Sequence, residues 1–518
     1  MQFNAQLDDE PLQDGSVPIA GVNNSQPPSS IDQTLAADTE NRLTQADGVN
    51  RPRPGVIRKE DLGGGFDSIH HLGIGQFLAD DAGNWFLYDT RSEVLTALTG
   101  GPAYPSGAQV YSALADLVLY FSYGQDLNGY KPGTDTDSGF RTVTLPDPYT
   151  NASFPIWAVS RLIYAVTDEN TIVVSDILDP EVFDTLTQTL TIDPIKSDAI
   201  TGQCVWQTQR IAVFRNGSTW VVETGPGLDV VNWELNRVSA TIGCCCHGTI
   251  AQCGSDVYFL SETGRGVYAL SQAPASDQQG VWQPISAPIK GYIDRINWRA
   301  VKNARATYWN DLYLLSVPLD LSPINNFVLV YSVTLGAWQG LWCFDIGDQD
   351  VAPRDFARDR TNPDETVLLV GTPDGIISRA TYPTDLQFFD QNIDGTSAPY
   401  GSRLVSRSFT FNENINNIQP HSMLLQFLNS EDPVDITVIA DRTIVALQTT
   451  SETSNALLSL TIPGFPFDLD RSGYFNLPLS LMSVGVCSEL QIKLEGDGNW
   501  TLYQMKLTAF EAAPQLLT

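Results

Sequence analysis

The fold is decided between residues 157 and 224, which read WAVSRLIYAVTDENTIVVSDILDPEVFD (157–184) and, after a polar connection, QCVWQTQRIAVFRNGSTWVVET (203–224). Each stretch consists of a short apolar run, a polar turn and a second apolar run, which is the pattern of an antiparallel hairpin. The second turn contains Asn216-Gly217, a pair favoured in tight hairpin connections. The two stretches therefore predict two copies of one strand–turn–strand unit.

The same unit recurs along most of the chain. Further copies lie at 77–98, 111–132, 250–272, 306–342 and 366–380. The first apolar runs of six units are 45, 49, 46, 55 and 55 residues apart when they are aligned at Leu117, Leu162, Ile211, Val257, Leu312 and Val367. A strand-and-turn repeat of about 40 to 50 residues is typical of a β-propeller with one four-stranded sheet per blade. We predict an all-β chain with a propeller at residues 67–395, six blades being favoured and seven the alternative.

The two ends of the chain have a different character. Residues 1–66 are polar and rich in Asn, Gln, Asp, Pro and Gly, so we expect an extended N-terminal arm that becomes ordered against a partner. Residues 396–518 contain alternating strands at near-regular spacing, such as DITVIAD and ELQIKLEG, without the propeller's period. This pattern predicts a C-terminal β-sandwich domain.

Composition limits the classes of function. The chain has 60 acidic and 29 basic residues, a net charge of −31, which disfavours nucleic-acid binding through a basic patch. The simplest interpretation of the acidic surface is that it keeps the protein soluble. Seven cysteines without a spacing pattern fit a reducing compartment. The N-terminus lacks the features of a signal peptide, and no apolar run reaches 18 residues. We therefore expect a soluble product made in a cytoplasm, with no membrane-spanning segment.

The cysteine-rich run Cys244-Cys245-Cys246-His247, with Cys253 nearby, is the strongest candidate metal site. Adjacent residues of a strand point to opposite faces, so only Cys244 and Cys246 could share a face. Three consecutive cysteines cannot then converge on one tetrahedral ion. We predict a buried strand start here and no metal.

Three other motifs are weaker still. Asp81-Ala82-Gly83-Asn84-Trp85 approaches the repeated turn of sialidase propellers, but it is one residue short and occurs once. Asp135-Thr136-Asp137-Ser138-Gly139 resembles half of a calcium loop without its distal Glu, and His70-His71 fits a surface or packing role. No facing carboxylate pair for glycoside hydrolysis can be chosen from spacing. We predict no catalytic residue, no cofactor and no enzyme activity.

Several stretches resemble one protein family. RLIYAVTDENTIVVSDILDPEVFD, RIAVFRNGSTWVVETGPG and VSATIGCCCHGTIAQCGSDVYFLSETGRGVYALS are similar to the propeller body of the nozzle or hub proteins of short-tailed bacteriophages, also described as packaged-DNA stabilisation proteins. RPRPGVI resembles that family's N-terminal part, and SRLVSRSFTF and NWTLYQMKLTAFE resemble its closing β domain.

The resemblance implies a structural protein of the virion tail, assembled in the host cytoplasm. It would form a homohexameric ring below the portal and adaptor, extend the DNA channel, retain packaged DNA, conduct it during ejection, and hold tail fibres or spikes. Double-stranded DNA would pass without sequence-specific binding, and an acidic lumen would keep the duplex centred. The alternative is a carbohydrate-binding or carbohydrate-cleaving propeller, either a receptor-contacting tail component or a sialidase-like enzyme.

Overall fold

The chain is almost entirely β-strand. The computed structural model describes residues 12–15, 20–32, 34–45, 48–73, 75–134, 136–184, 186–195, 198–225, 229–273, 281–345, 350–359, 367–382, 389–409, 418–428, 434–449, 474–481, 484, 487–497 and 500–511. Helical structure within these ranges is one α-helical turn, Lys290–Ile293. It is accompanied by short 3-10 turns at Pro28–Ser30, Val230–Asn232, His247–Thr249, Leu270–Gln272, Ala287–Ile289 and Val301–Asn303.

Six four-stranded antiparallel blades form most of a propeller ring, numbered here in chain order. Blade 1 contains Ser68–Gly73, Gln76–Asp81, Asn84–Asp89 and Val94–Leu98; blade 2 contains Tyr111–Ala115, Val118–Ser122, Asn128–Lys131 and Gly139–Thr142. Blade 3 contains Ala152–Ala158, Arg161–Val166, Thr171–Asp176 and Asp179–Phe183, with Thr189–Thr191 beside its third strand; blade 4 contains Ile200–Val205, Arg210–Arg215, Ser218–Glu223 and Glu234–Ser239. Blade 5 contains Arg305–Trp309, Leu312–Val317, Phe327–Ser332 and Ala337–Trp342; blade 6 contains Asp355–Arg358, Leu368–Gly371, Ile376–Ala380 and Val56–Asp61.

A shorter sheet lies between blades 4 and 5. It has three strands in the described part of the chain, Ala251–Cys253, Asp256–Ser261 and Gly266–Ala269. The innermost strand of blade 6 contacts that of blade 1, which closes the ring. The favoured prediction of a six-blade propeller is confirmed, with this three-stranded sheet as an additional member of the ring.

The repeat alignment marks the start of the second strand in each unit, with Leu117 and Val367 one residue before that strand. Leu162, Ile211, Val257 and Leu312 lie in the second strand of their sheets. These strands are buried on both faces, as all six residues of Leu312–Val317 show. A strand packed between two neighbouring blades is apolar at consecutive positions, which is why the period was legible in the sequence.

Residues 20–61, called here the N-terminal segment, are built into the body of the same chain. Val56–Asp61 pairs with Ile376–Ala380 as the outer strand of blade 6. Asp38–Glu40 pairs with Ala337–Trp342 of blade 5 on one side and with Gly401–Val405 on the other. The remaining strands up to residue 55 are Leu12–Gly15, Gly21–Val22, Leu35–Ala36, Arg42–Thr44 and Asn50–Pro52.

The expectation that this segment orders only against a partner is wrong for these residues. They offer few apolar side chains, but their backbone pairs with strands and two arginines are buried. Arg42 donates to the Asn50 side chain and to the Trp500 carbonyl oxygen, both at 2.8 Å. Arg53 forms an ion pair with Asp390 at 2.7 Å, and neither arginine side chain is solvent-exposed. Hydrogen bonds and charge pairs thus replace the missing apolar surface.

The C-terminal strands belong to two sheets that also take strands from the N-terminal part of the chain. Gly401–Val405, Leu490–Asp497, Asp435–Ala440 and Thr443–Thr449 continue blade 5, through Asp38–Glu40, into a nine-stranded sheet. Ile418–Leu428, Leu502–Glu511 and Tyr474–Ser480 join Asn50–Pro52, Arg42–Thr44 and Leu12–Gly15 in the other sheet. The short strand pairs Phe344–Asp345 with Asp350–Val351, and Phe389–Gln391 with Ser397–Pro399, complete the fold.

The apolar residues of both sheets share one core with blade 5. Leu425, Leu494 and Leu507 are fully buried and belong to the same cluster as Leu315 and Leu329. The sandwich at 396–518 stays a prediction. Among the described residues, these strands pair with each other, and each of their two sheets also takes strands from the N-terminal part of the chain.

Glycine at position 340 permits the junction between blade 5 and the N-terminal segment. Gly340 has φ +99°, a conformation that side-chain-bearing residues rarely adopt. A Cβ atom there would collide with the Thr39 main chain. The register of blade 5 shifts between Val330 and Tyr331, opposite this glycine, so the outer strand bends where Asp38–Glu40 arrives.

Candidate functional site at the ring axis

The inner rim of the propeller brings six polar or aromatic side chains together. Five come from innermost strands of different blades, and one comes from the 3-10 turn that precedes the three-stranded sheet. We call this set the axial cluster; it consists of His70, Tyr111, Phe154, His247, Arg305 and Asp355.

Three aromatic rings of the axial cluster pack against each other. The ring centroids of Tyr111 and His247 lie 4.6 Å apart, those of Phe154 and His247 4.9 Å, and those of Tyr111 and Phe154 5.2 Å. Phe154 has φ +54° at a register shift of its strand, and such a bulge redirects a side chain. These three side chains therefore fill space at the inner rim that would otherwise be open.

His247 is held in one neutral form. Its Nδ1 accepts a hydrogen bond of 3.3 Å from the backbone N–H of Gln203. Burial, aided by the Arg305 charge, lowers the pKa of His247 to about 3. The imidazole is consequently uncharged at neutral pH with its proton on Nε2.

Arg305 and Asp355 provide the charges of the axial cluster and offset each other. The Arg305 Nε lies 3.6 Å from Asp355 Oδ1, and the guanidinium carbon lies 5.3 Å from the centre of the Tyr111 ring. Asp355 Oδ2 accepts the backbone N–H of Ile69 at 3.2 Å. Burial raises the pKa of Asp355, while Arg305 opposes that change. The Asp355 carboxylate therefore pairs with Arg305 and with the Ile69 N–H, which is a structural role.

His70 belongs to a chain of buried hydrogen bonds that joins blades 1 and 2. The Ser68 hydroxyl lies 2.7 Å from His70 Nε2 and donates to Asp80, so Nε2 carries the proton. The Ser112 hydroxyl donates to His70 Nδ1 at 3.0 Å. Burial lowers the pKa of His70 to about 3 and raises the pKa of Asp80 to about 7. The neighbouring His71 pairs with Asp359 at 3.0 Å.

A cleft of about 400 Å³ opens beside the three aromatic rings. Besides the three rings, it is lined by Gln109, Tyr123, Ser153, Thr167, Asp168, Thr201, Cys245, Cys246 and Lys302, among others. Several of its hydroxyls already have protein partners. Ser153 and Thr167 bond to each other at 2.8 Å, and Thr201 donates to the Cys244 carbonyl oxygen at 2.7 Å. Lys302 and Asp168 are exposed residues, and Cys245 is a half-buried one.

The three consecutive cysteines lie in irregular backbone, not at a strand start. The nearest strand begins at Ala251, so the prediction of a buried strand start is wrong, and the argument from alternating strand faces does not apply. Cys244 is fully buried and its thiol donates to the Cys246 carbonyl oxygen at 3.0 Å. The sulfur atoms of Cys245 and Cys246 lie 3.7 Å apart. The pair that comes together is thus Cys245 and Cys246, not Cys244 and Cys246.

The pKa values of the two thiols shift in opposite directions. A hydrogen bond from Cys245, together with the Arg305 charge, lowers the pKa of the Cys246 thiol. Burial raises the pKa of the Cys245 thiol. Within the described ranges, no group of three or more His, Cys, Asp or Glu side chains is placed to hold a metal ion.

The other sequence motifs have structural positions. Ala82-Gly83 forms the hairpin turn of blade 1, and the buried Trp85 donates to the Pro102 carbonyl oxygen at 3.0 Å. Asp135 of the calcium-like motif lies outside the described residues. Asp137 of that motif accepts from the Thr136 hydroxyl and lies 3.9 Å from Lys131.

The sequence motifs did not reveal Tyr111, Phe154, Arg305 or Asp355. No motif marks them, because each stands alone in its blade and they meet only when the ring closes. Their position in the repeat could have indicated them, because each of these residues lies in the strand that precedes the buried second strand of its blade. That is the position whose side chains face the ring axis.

The fold and this inner rim define a β-propeller. No protein-family model matches the chain, and no curated protein matches it. Among solved structures it is similar to the WD40 β-propeller domain of Doa1, with 10% identity, a TM-score of 0.39, and coverage of 64% of this chain and 98% of that one. A chain in a crystal structure of the mitotic checkpoint complex matches with 11% identity, a TM-score of 0.39, and coverage of 64% and 93%. In the part of the chain that the structure describes, no helix has the length and apolar character needed to cross a bilayer.

Proposed function

We propose that this chain is a structural virion protein, the nozzle or hub of a short bacteriophage tail. In this role it extends the DNA channel below the portal and adaptor, retains packaged DNA, conducts the DNA during ejection, and offers a docking surface for tail fibres or spikes. It acts as a homohexameric ring and not as an enzyme. The proposal originates in the sequence resemblance.

The observation that carries the proposal is the nine-stranded sheet. It runs from blade 5 through Asp38–Glu40 into Gly401–Val405 and the C-terminal strands; Asp38–Glu40 meets blade 5 at Leu341 and Gly401–Val405 over three residue pairs. Bending the propeller against the C-terminal strands would require breaking the backbone hydrogen bonds of that sheet. A structural part of an assembly that transmits force needs this stiffness, whereas an enzyme that closes over a substrate needs a hinge.

The axial cluster limits where DNA could pass. The rings of Tyr111, Phe154 and His247 are in mutual contact, so the axis of a single propeller offers no path for a duplex. The channel of the proposed ring is therefore formed between copies of the chain. The net charge of −31 suits such a wall, because a surface that DNA must slide past should not bind phosphates.

The test is the assembly state of the purified chain, alone and mixed with a portal–adaptor complex. We expect a six-fold ring with an axial hole by negative-stain imaging, and a sedimentation coefficient that corresponds to six copies. A monomer in both preparations would refute the proposal. Sedimentation should be repeated at several salt concentrations, because the repulsion between acidic copies weakens as salt screens it.

The carbohydrate alternative receives no specific support from the cleft. Sugars stack on open aromatic faces, but the Phe154 and His247 rings stack on each other with an interplanar angle of 16°. Arg305 lies over the Tyr111 ring. We therefore develop only the structural role.

A further inference from the structure

We propose that Cys245 and Cys246 form a two-thiol chelate for one soft metal ion of the Cu(I) class. The site lies at the inner rim of the propeller, in the wall of the axial cleft. It is independent of the tail function, since it rests on the geometry of the two thiols alone.

The distance between the sulfurs fits a single bridging atom. With metal–sulfur bonds of about 2.3 Å, two sulfurs 3.7 Å apart subtend an angle of about 107° at the metal. A linear two-coordinate ion would need sulfurs about 4.6 Å apart with the same bond length. The observed spacing therefore favours a bent chelate, which leaves a third position for an exogenous ligand such as water or a small thiol.

A direct disulfide between these residues is the poorer alternative. The Cα atoms of adjacent residues lie about 3.8 Å apart across a trans peptide bond. Unstrained disulfides need a Cα separation of about 4.4 to 6.8 Å. A bridging metal spans the two sulfurs without that constraint.

Access and charge also favour this pair. Cys245 is half-buried and Cys246 is 6% exposed, and both residues line the cleft, whereas Cys244 is fully buried. The Cys246 thiol donates to the Val301 carbonyl oxygen at 3.4 Å, a contact that metal binding would replace. Two thiolates and one monovalent ion carry a net charge of −1. The Arg305 guanidinium, which also faces Asp355, interacts electrostatically with Cys246 and lowers the energetic cost of that charge.

The binding step is a ligand exchange without electron transfer. The two S–H bonds break, two metal–sulfur bonds form, and two protons go to solvent. Thiolates are soft ligands that suit both Cu(I) and Zn²⁺. Zn²⁺ takes four tetrahedral ligands, and among the described residues no third His, Cys, Asp or Glu side chain is placed to complete such a set here, which favours Cu(I). The reducing compartment expected from the cysteine pattern would keep both thiols and the metal in the required state.

The test is an anaerobic titration with Cu(I) in competition with bicinchoninate, a coloured Cu(I) chelator. We expect the wild-type protein to withdraw one equivalent of Cu(I) from the chelator. Cys245→Ser and Cys246→Ser should each weaken this binding at least tenfold, because one sulfur remains. Cys487→Ser, which removes a buried thiol among the C-terminal strands, is the matched control and should bind as the wild type does.

A second probe protects the test against a variant that does not fold. Phenylarsine oxide reacts with two neighbouring thiols to form two As–S bonds and release water. Wild-type protein should gain one arsenical, which peptide mapping should place on the peptide that carries Cys245 and Cys246. Failure of the wild type to withdraw Cu(I), an arsenical placed on other cysteines, or unchanged Cu(I) binding by folded Cys245→Ser would each overturn the proposal.

Discussion

Replacing Asp390 by alanine should leave the Arg53 guanidinium buried without its carboxylate. Asp390 accepts hydrogen bonds from Arg53 Nη1 at 3.0 Å, from Arg53 Nη2 at 2.7 Å and from the Val56 N–H at 2.9 Å. The Arg53 side chain has no exposed surface and that of Asp390 is 6% exposed. The change therefore removes these three hydrogen bonds of the carboxylate from an almost completely buried site.

The expected loss is about 3 to 5 kcal/mol of the free energy of unfolding, the usual cost of breaking a buried ion pair. Arg53 keeps other partners, which favours the lower half of that range. They are the carbonyl oxygens of Pro54 and Cys343, the side chain of Asn41, and the faces of Tyr400 and Phe344 at 3.9 and 4.6 Å. The unpaired Val56 N–H adds about 1 kcal/mol.

Urea denaturation followed by circular dichroism measures this loss. Asp394→Ala is the matched control, because Asp394 is an exposed aspartate nearby in the chain whose side chain accepts hydrogen bonds from the neighbouring Thr396. The double variant Arg53→Met/Asp390→Leu should recover most of the stability, since no buried charge is left alone. A cost below about 1 kcal/mol for Asp390→Ala, or a double variant as unstable as the sum of the two single variants, would refute this account of how the N-terminal segment is anchored.

Three further outcomes are expected. Burial raises the pKa of Asp80 from 3.8 to about 7, so the protonated carboxyl stabilises the folded state fully below about pH 4, and this stabilisation is lost as the pH rises through 7. Asp80→Asn should therefore flatten the decline in the free energy of unfolding, measured with urea, between pH 5 and pH 8. An unchanged decline would contradict the assignment. Gly340→Ala should cost about 1 to 3 kcal/mol more than Gly336→Ala, a positive-φ glycine with open space around it, and equal melting temperatures would contradict the junction described above. Fluorescence anisotropy at 150 mM salt should show no binding of duplex DNA by the purified chain, whereas micromolar affinity would remove the argument for an acidic channel wall.

The ring could be predicted from the sequence because its signal is local and repeated. Each second strand is packed on both faces, so it is a continuous apolar run that ends in a turn, as in the strands Arg161–Val166 and Arg210–Arg215. The apolar run that begins at Val257 predicted the hairpin of the three-stranded sheet for the same reason. Local apolar runs thus indicated the period and the position of each hairpin, but they could not tell a four-stranded blade from the three-stranded sheet.

The joining of the chain ends and the axial cluster could not be predicted in this way. Asp38–Glu40 carries no apolar pattern, and its place in a sheet depends on partners about 300 and 365 residues away. The geometry of Cys245 and Cys246 likewise depends on a break in strand structure before Ala251. Contacts of this kind are set by the closed ring, and no single stretch of sequence contains them.

The strand that completes blade 6 has a consequence for the order in which the chain is made. Val56–Asp61 leaves the ribosome early, but its partner Ile376–Ala380 follows more than 300 residues later. Until then the ring is open and Val56–Asp61 lacks this strand partner, a state in which chains associate wrongly. We therefore expect closure to be the slow, late step of folding, and truncation before residue 376 to yield an aggregating product even though blades 1 to 5 are complete.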